Sequence, residues 1–248
     1  MSGSSSVALA AIVTPIWRPR LTENESWNVR RSISGNGALD HVFVAPRSLD
    51  VQYYREQFPE SRIRRVDDRA LTSTASYSRL MLSSRFYGSF AEFEFIVICQ
   101  SDAFLTRDIA PLLRGEEHDY IGAPWRPGHT TTPVGNYFPR TLGRLDAAVR
   151  GLRILPVGNG GLSVRRVSAH RAALRSKPLL ARFSRINEDV VLSYLGTTGD
   201  LRVASEEYAS GVFFERGTRV PREDEVFGFH AFERYYPDEY EEMQRRWS

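Results

Sequence analysis

A few carboxylates, one histidine and one run of glycines are the residues of this chain whose types and placement could do chemistry. Asp102 stands three residues after the apolar run Ile96-Val97-Ile98-Cys99. Such a run reads as a strand buried on both faces of a parallel sheet, and it delivers a carboxylate to the carboxyl edge, where α/β folds place their ligands. Glu188 and Asp189 follow Asn187 just before the apolar stretch VVLSYL. Acids in the first turn of a helix complement its dipole, so ordinary capping explains either of them alone. His230 lies among aromatics in FGFH, a setting in which a lone histidine is usually a satisfied core or surface residue. Asp67-Asp68 is a second pair of acids that could take a metal or a sugar hydroxyl, although adjacent aspartates in a loop most often make a solvated turn.

Trp125, at the end of DYIGAPW, faces the same edge as Asp102 if the two strands are neighbours. An aromatic plate with a polar N–H suits a carbohydrate, which presents C–H faces beside hydroxyls; a plug in the core below a loop is the plain alternative. In Gly158-Asn159-Gly160-Gly161 the backbone can approach a ligand closely or adopt positive φ. No Gly-Lys-Ser/Thr follows, so it is not a P-loop, and it does not open a helix as a dinucleotide fingerprint would. A hairpin turn accounts for most such segments.

The elements that must position these residues follow an alternating order. Val7–Val13 reads as a first buried strand ending at Thr14-Pro15, and Thr22-x-x-Glu25 has the form of a capping box opening a helix to about Ile33. His41–Ala45 is a strand, Leu49–Phe58 a helix, Arg62–Val66 a strand, and Ser73–Phe90 one helix with Tyr77, Leu80, Met81 and Tyr87 at helical spacings. After the central stretch Phe93–Leu105, the reading continues with a short helix at Ile109–Leu113 and strands at His118–Ala123, Leu152–Val157 and Leu162–Arg165. Helical pieces are expected at Ser168–Arg175 and Lys177–Phe183, and short strands at Arg202–Ala204 and Val212–Phe214. Arg126–Arg150, long and rich in Gly, Pro and Thr, is the candidate flap. The βαβαβ opening argues for a mainly parallel, mixed α/β sheet flanked by helices.

The 248 residues suffice for one large core, and a single domain spanning 1–248 is the simplest organisation, with a disordered tail at 1–6 and a helical extension at 232–248. That extension packs on the domain or on another subunit; its acids Asp238, Glu239, Glu241 and Glu242 argue against anionic lipid. The single cysteine, Cys99, lies in the apolar run, which excludes a disulfide framework and points to a reducing cytoplasm. No signal peptide or membrane span is read at the first apolar run. Lys177 is the single lysine among 33 basic residues, so the net charge of +3 is carried by arginine. Arginine suits phosphate recognition, but a G+C-rich genome gives the same bias. The charges are interspersed, with no run suggesting a nucleic-acid arm.

Read together, QSDAF, DYIGAPW, GNGGLS, NED and GFH resemble, in their order, the GT-A glycosyltransferases, which move a sugar from a nucleotide-diphosphate donor to an acceptor hydroxyl on a Rossmann-like sheet. The pattern is most similar to a family of predicted transferases marked by QxDAF, DYIGAPW, GNGG(F/L)S, NED and GFH, and it extends over roughly Val7–Ala231. By that resemblance Gln100-Ser101-Asp102 stands at the DxD motif, whose last aspartate binds Mn²⁺ or Mg²⁺ on the donor diphosphate, with Gln100 replacing the first acid. His230 matches the histidine that completes the metal shell. Asp189 falls where the xED motif puts the catalytic base, and is preferred over Glu188. Asn159, Gly160 and Gly161 correspond to the turn bordering donor and acceptor. The implied activity is metal-assisted, inverting transfer to a carbohydrate or glycoconjugate acceptor, with Trp125 against the sugar.

Thr14, Tyr77 and Arg79 are candidate nucleotide and phosphate contacts by their placement near strand ends or on the helix before the central strand. Two other readings remain. A sugar-nucleotide nucleotidyltransferase would carry a glycine-rich, basic loop after the first strand, where this chain has Thr14-Pro15-Ile16-Trp17. A non-catalytic carbohydrate-binding or scaffold domain on a degenerate fold is favoured by Gln100.

Overall fold

The computed structural model describes residues 7–125, 129–131, 137–139, 155, 157–178 and 187–247. Its centre is a six-stranded sheet in the order β3-β2-β1-β4-β9-β6, where β1 is Ala8–Pro15, β2 Asp40–Pro46, β3 Arg62–Val66, β4 Phe93–Cys99, β6 Tyr120–Gly122 and β9 Leu162–Arg166. The first four of these are mutually parallel, with Val13 opposite both Val42 and Ile98. β9 runs antiparallel to both β4 and β6. The molecule is thus the mixed, mainly parallel α/β fold that the alternation of apolar runs implies.

Phe95, Ile96, Val97 and Ile98 of β4 are fully buried, as a strand covered on both faces requires. At about 1.5–3 kcal/mol for each fully buried large apolar side chain, this strand anchors the core. Helix α1 (Glu23–Ser34) opens with the expected capping box: the Thr22 hydroxyl accepts from the Glu25 N–H, and the Glu25 carboxylate accepts from the Thr22 N–H. Helix α2 is Gln52–Gln57.

The expected single helix over Ser73–Phe90 is two: α3 (Thr74–Met81) and α4 (Ser84–Gly88). Ser83 is extended, at φ −95° and ψ 119°, between them. Consecutive serines weaken the helix there, and the break lets Met81 and Leu82 on one side and Phe86 and Tyr87 on the other reach the same core. The C-terminal helix is likewise divided, into α9 (Phe232–Tyr235) and α10 (Pro237–Trp247), because Pro237 has no N–H to continue a ladder and suits a first helical position.

A three-stranded sheet, β10-β11-β5, closes one side, with β5 Ala103–Leu105, β10 Phe213–Phe214 and β11 Gly228–His230. The remaining helices are α5 (Ala110–Arg114), α6 (Val167–Ser176), α7 (Glu188–Thr197) and α8 (Glu206–Ser210). The expected strand at Arg202–Ala204 is reduced to one bridge, Tyr120 with Val203. Most of the candidate flap, of Leu152–Val157 and of Lys177–Phe183, and the tail at 1–6, lie outside the described residues. Within the flap, β7 (His129–Thr131) and β8 (Tyr137–Pro139) pair antiparallel. Among the described residues no helix is long and apolar enough to cross a membrane.

Candidate active site

Three turns meet at the carboxyl edge because of the sheet's register. β4 ends at Cys99 opposite Leu162, so the antiparallel β9 begins there and its preceding turn, Gly158–Gly161, lies against the end of β4. The Gln100 N–H donates to the Gly161 carbonyl at 2.9 Å. β11 runs antiparallel to β5 with His230 opposite Ala103, and the Ala231 N–H donates to the Asp102 carbonyl at 2.9 Å. Residues more than a hundred apart in sequence are thereby fixed within one cleft of about 910 Å³.

Gln100, Trp125, Asn159, Gly160, Gly161, Glu188, Asp189, His230 and Tyr77 all line that cleft. Asp102 stands at its margin, half exposed, with Oδ1 3.6 Å from His230 Nε2. Three other candidates are not among the lining residues. Thr14 is buried and its hydroxyl contacts His41 Nε2 at 3.0 Å, while Pro15 lines the cleft in its place. Ser101 is buried the other way, its hydroxyl donating to Glu25 at 2.8 Å and its carbonyl accepting from Asn28 at 3.0 Å, which moors the Gln100–Asp102 turn to α1. Arg79 is exposed on α3, two residues from Tyr77 and therefore on a different face of the helix.

Asn159 holds the glycine turn in shape. Its φ of 59° is left-handed, a conformation that asparagine tolerates better than most side chains, and its Oδ1 accepts from the Gly161 N–H at 3.0 Å. The glycines beside it are sterically required. A Cβ on Gly161 would come within 2.3 Å of His230 Nε2 and 2.9 Å of Gln100 Oε1. One on Gly160 would meet Glu188 Oε1 at 1.9 Å, and one on Gly158 would meet the Trp125 ring at 1.9 Å. Trp125 is nearly buried and packs with Leu155 and Val190 while also lining the cleft.

His230 has two distinct faces. Nδ1 lies 3.3 Å from Glu215 Oε1 and 2.9 Å from Asn159 Nδ2, whereas Nε2 is buried with no hydrogen-bond partner. Asn159 Nδ2 donating to Nδ1 puts the proton of a neutral ring on Nε2, whereas a ring that instead donates Nδ1–H to Glu215 presents the Nε2 lone pair toward Asp102, the arrangement of a metal-binding histidine held by a carboxylate. Burial opposes a charged ring, but the Glu215 hydrogen bond and the charges of Asp102, Glu215 and Asp189 outweigh it and raise the imidazole above its ordinary range. Among the described residues no three His, Cys, Asp or Glu side chains form a complete metal cluster. Asp102 and His230 fit a hard divalent cation only if ligand oxygens and water supply the rest of the shell.

The two acids of α7 differ sharply. Both oxygens of Glu188 are engaged: Oε1 lies 3.3 Å from Arg165 and Oε2 accepts from Ser78 at 3.1 Å. Arg165, fully buried, also donates to the Gly160 carbonyl at 3.0 Å, to Ser163 at 2.9 Å and to the Tyr87 hydroxyl at 3.1 Å, so it ties the glycine turn to the start of α7. Asp189 instead faces the cleft, its Oδ1 accepting from the Val190 N–H at 2.8 Å. Burial, followed by the charge of Glu188, pushes its carboxyl up to about 7. A carboxylate poised there suits proton abstraction at neutral pH.

Sequence reasoning missed Glu215, Arg165 and Arg216. A polar alternation, Ser163 and Arg165 within a buried strand, was the signal for Arg165; Glu215 meets His230 only through strand pairing and has no local signature. Asp67 and Asp68 form the solvated turn: they accept from the Arg69 and Ser48 N–H groups at 3.0 and 2.7 Å.

The fold is shared with the crystal structure of mouse xyloside xylosyltransferase 1 in its apo form, at a TM-score of 0.51 and 12% sequence identity, covering 84% of this chain and 88% of that one. The apo structure of the WbbM bifunctional glycosyltransferase matches at a TM-score of 0.46 and 14% identity, over 80% of this chain and 38% of the other. No curated protein matches the chain. A family model described as "Protein of unknown function (DUF5672)" matches residues 60–230, well over half of the chain and a span that contains Asp102, the glycine turn, Asp189 and His230, so the protein belongs to the DUF5672 family.

Proposed function

We propose that the protein is a glycosyltransferase that moves a sugar from a nucleotide-diphosphate donor to the hydroxyl of a carbohydrate or glycoconjugate acceptor. The observation that carries this reading is the convergence, in one cleft at the carboxyl edge of a sheet shared with a xylosyltransferase, of an aromatic plate, a side-chain-free turn, an elevated carboxyl and a histidine with an unpartnered nitrogen. Asp102 and His230 would hold Mn²⁺ or Mg²⁺. When bound, that ion supplies positive charge for the diphosphate as it departs.

The chain's own residues do the rest. Asp189 takes the proton of the acceptor hydroxyl as the new bond forms, and direct attack from the face opposite the leaving group inverts the anomeric carbon. Trp125 offers its face to the sugar, and Gly160 and Gly161 leave it room. Glu188, committed to Arg165 and Ser78, orients the start of α7 rather than exchanging protons. Burial pushes the Cys99 thiol up to about 12, so it takes no part in the chemistry.

The test is hydrolysis of a panel of sugar nucleotides with Mn²⁺. Release of nucleoside diphosphate from at least one donor, lost in Asp189→Asn with donor affinity retained, is the expected result. No turnover of any donor, with saccharides still bound, would leave a carbohydrate-binding domain instead.

A further inference from the structure

The cleft has an electrostatic imbalance that its proposed ligand must overcome. Three carboxylates line it, Glu188, Asp189 and Glu215, and Asp102 stands at the margin. Arg165 offsets Glu188 from behind. Among the described lining residues, Arg216 is the one with a permanent positive charge. It is half buried, its guanidinium carbon lies 4.3 Å from the centroid of the Tyr235 ring, and none of the ion pairs among the described residues includes it. A guanidinium kept on an aromatic face and outside any ion pair retains its fork of donors for a ligand.

Its position follows from the strand pairing. β10 runs parallel to β11 with Phe214 opposite Phe229, which carries the chain on to place Glu215 beside His230 and Arg216 next along the same wall. We propose that Arg216, seated on Tyr235, is the anion-gripping residue of the cleft, taking the phosphoryl oxygens of a diphosphate in a bidentate contact that does not need a divalent cation. Gln100, where a second acid would otherwise strengthen a cation site, leaves Asp102 and His230 as a sparse pair of protein ligands, and a fixed guanidinium offsets part of the missing positive charge. Identifying the phosphates as those of a donor rests on the sugar-transfer reading above, whereas the Arg216 contact itself needs only a diphosphate.

Inorganic pyrophosphate titrated calorimetrically into the full chain in excess EDTA separates the two. Wild type is expected to bind, Arg216→Ala to bind about 10- to 100-fold more weakly, and Arg216→Lys to recover part of the loss, because a point charge replaces the fork. Arg85→Ala, which removes the same charge from the exposed side of α4, is expected to match wild type. Unchanged thermal melting of Arg216→Ala secures the comparison. Equal affinity of wild type and Arg216→Ala, or no binding by wild type in EDTA, overturns the proposal. Arg216-dependent binding of pyrophosphate combined with no turnover of any sugar nucleotide would uphold it and sink the transferase reading alone.

Discussion

Replacing Asp189 by asparagine should make the protein more stable at alkaline pH while removing its activity. The folded-state carboxyl titrates at about 7, against 3.8 for the unfolded chain, so the native state holds this proton more tightly. Below pH 3.8 both states are protonated and no penalty arises. As pH rises from there through 7 the wild type loses stability, and above 7 the cost is complete. About three pK units at 1.36 kcal/mol each give roughly 4 kcal/mol as a ceiling. Solvent at the cleft reaches the half-buried carboxylate and screens it, which brings the expectation to about 1–3 kcal/mol. Asparagine keeps an oxygen for the Val190 N–H and carries no charge at any pH. Melting followed from pH 4 to 9 should show Asp189→Asn about 2–12 °C above wild type at pH 8.5, a gap that closes toward pH 4. Sugar transfer by the variant should fall by about 10²- to 10⁴-fold. A gap of the same size at all pH values, or a variant less stable than wild type at pH 8.5, would refute the assignment of a strained carboxylate.

Three further outcomes follow from the same geometry. His230→Ala and Asp102→Ala should each weaken Mn²⁺-dependent donor binding, and because the imidazole is held protonated to higher pH than usual, Mn²⁺ affinity should decline on acidification starting above the ordinary histidine range; full activity in excess EDTA would sink the cation's role. Gly161→Ala drives a methyl into His230 Nε2 and Gln100 Oε1, so it should lower both the melting temperature and, in a direct titration, the donor affinity; a variant that matches wild type in both would refute the steric requirement. Arg165→Met leaves Glu188 buried without its ion pair and should cost about 3–5 kcal/mol in denaturant unfolding, with part of that loss recovered in the Arg165→Met/Glu188→Gln double variant.

Local rules carried the fold where one segment decides its own conformation. The Thr22 capping box and the Arg62–Val66 strand needed only short-range patterns, and the apolar run at the centre needed only burial on both faces. They failed where a break costs little. Ser83 divides a segment whose apolar spacing is continuous across it, because two short helices bury the same side chains as one long one. At the cleft, Gln100, Asn159, Gly160 and Gly161 come together because the turns that carry them follow from the apolar runs that end at the sheet's carboxyl edge. Thr14 and Arg79 fall outside the cleft lining, one position from Pro15 and two from Tyr77, since adjacent strand positions and helix positions two apart point to different sides. Glu215 and Arg216 had no local mark, as their neighbours are supplied by other elements, His230 of β11 and Tyr235 of α9.

The division of labour between Glu188 and Asp189 explains why the glycine at position 160 and the arginine at position 165 belong to the same device. Two adjacent carboxylates at a helix start would ordinarily share the dipole and titrate alike. Here one of them is removed from chemistry by being satisfied completely: Arg165 and Ser78 take both of its oxygens, and the absence of a side chain at Gly160 is what lets Glu188 reach that position. Glu188 is thereby held beside Asp189, whose Oδ1 accepts from the Val190 N–H. Burial therefore raises the Asp189 carboxyl first, and the neighbouring Glu188 held in place by Arg165 and Ser78 adds to that rise.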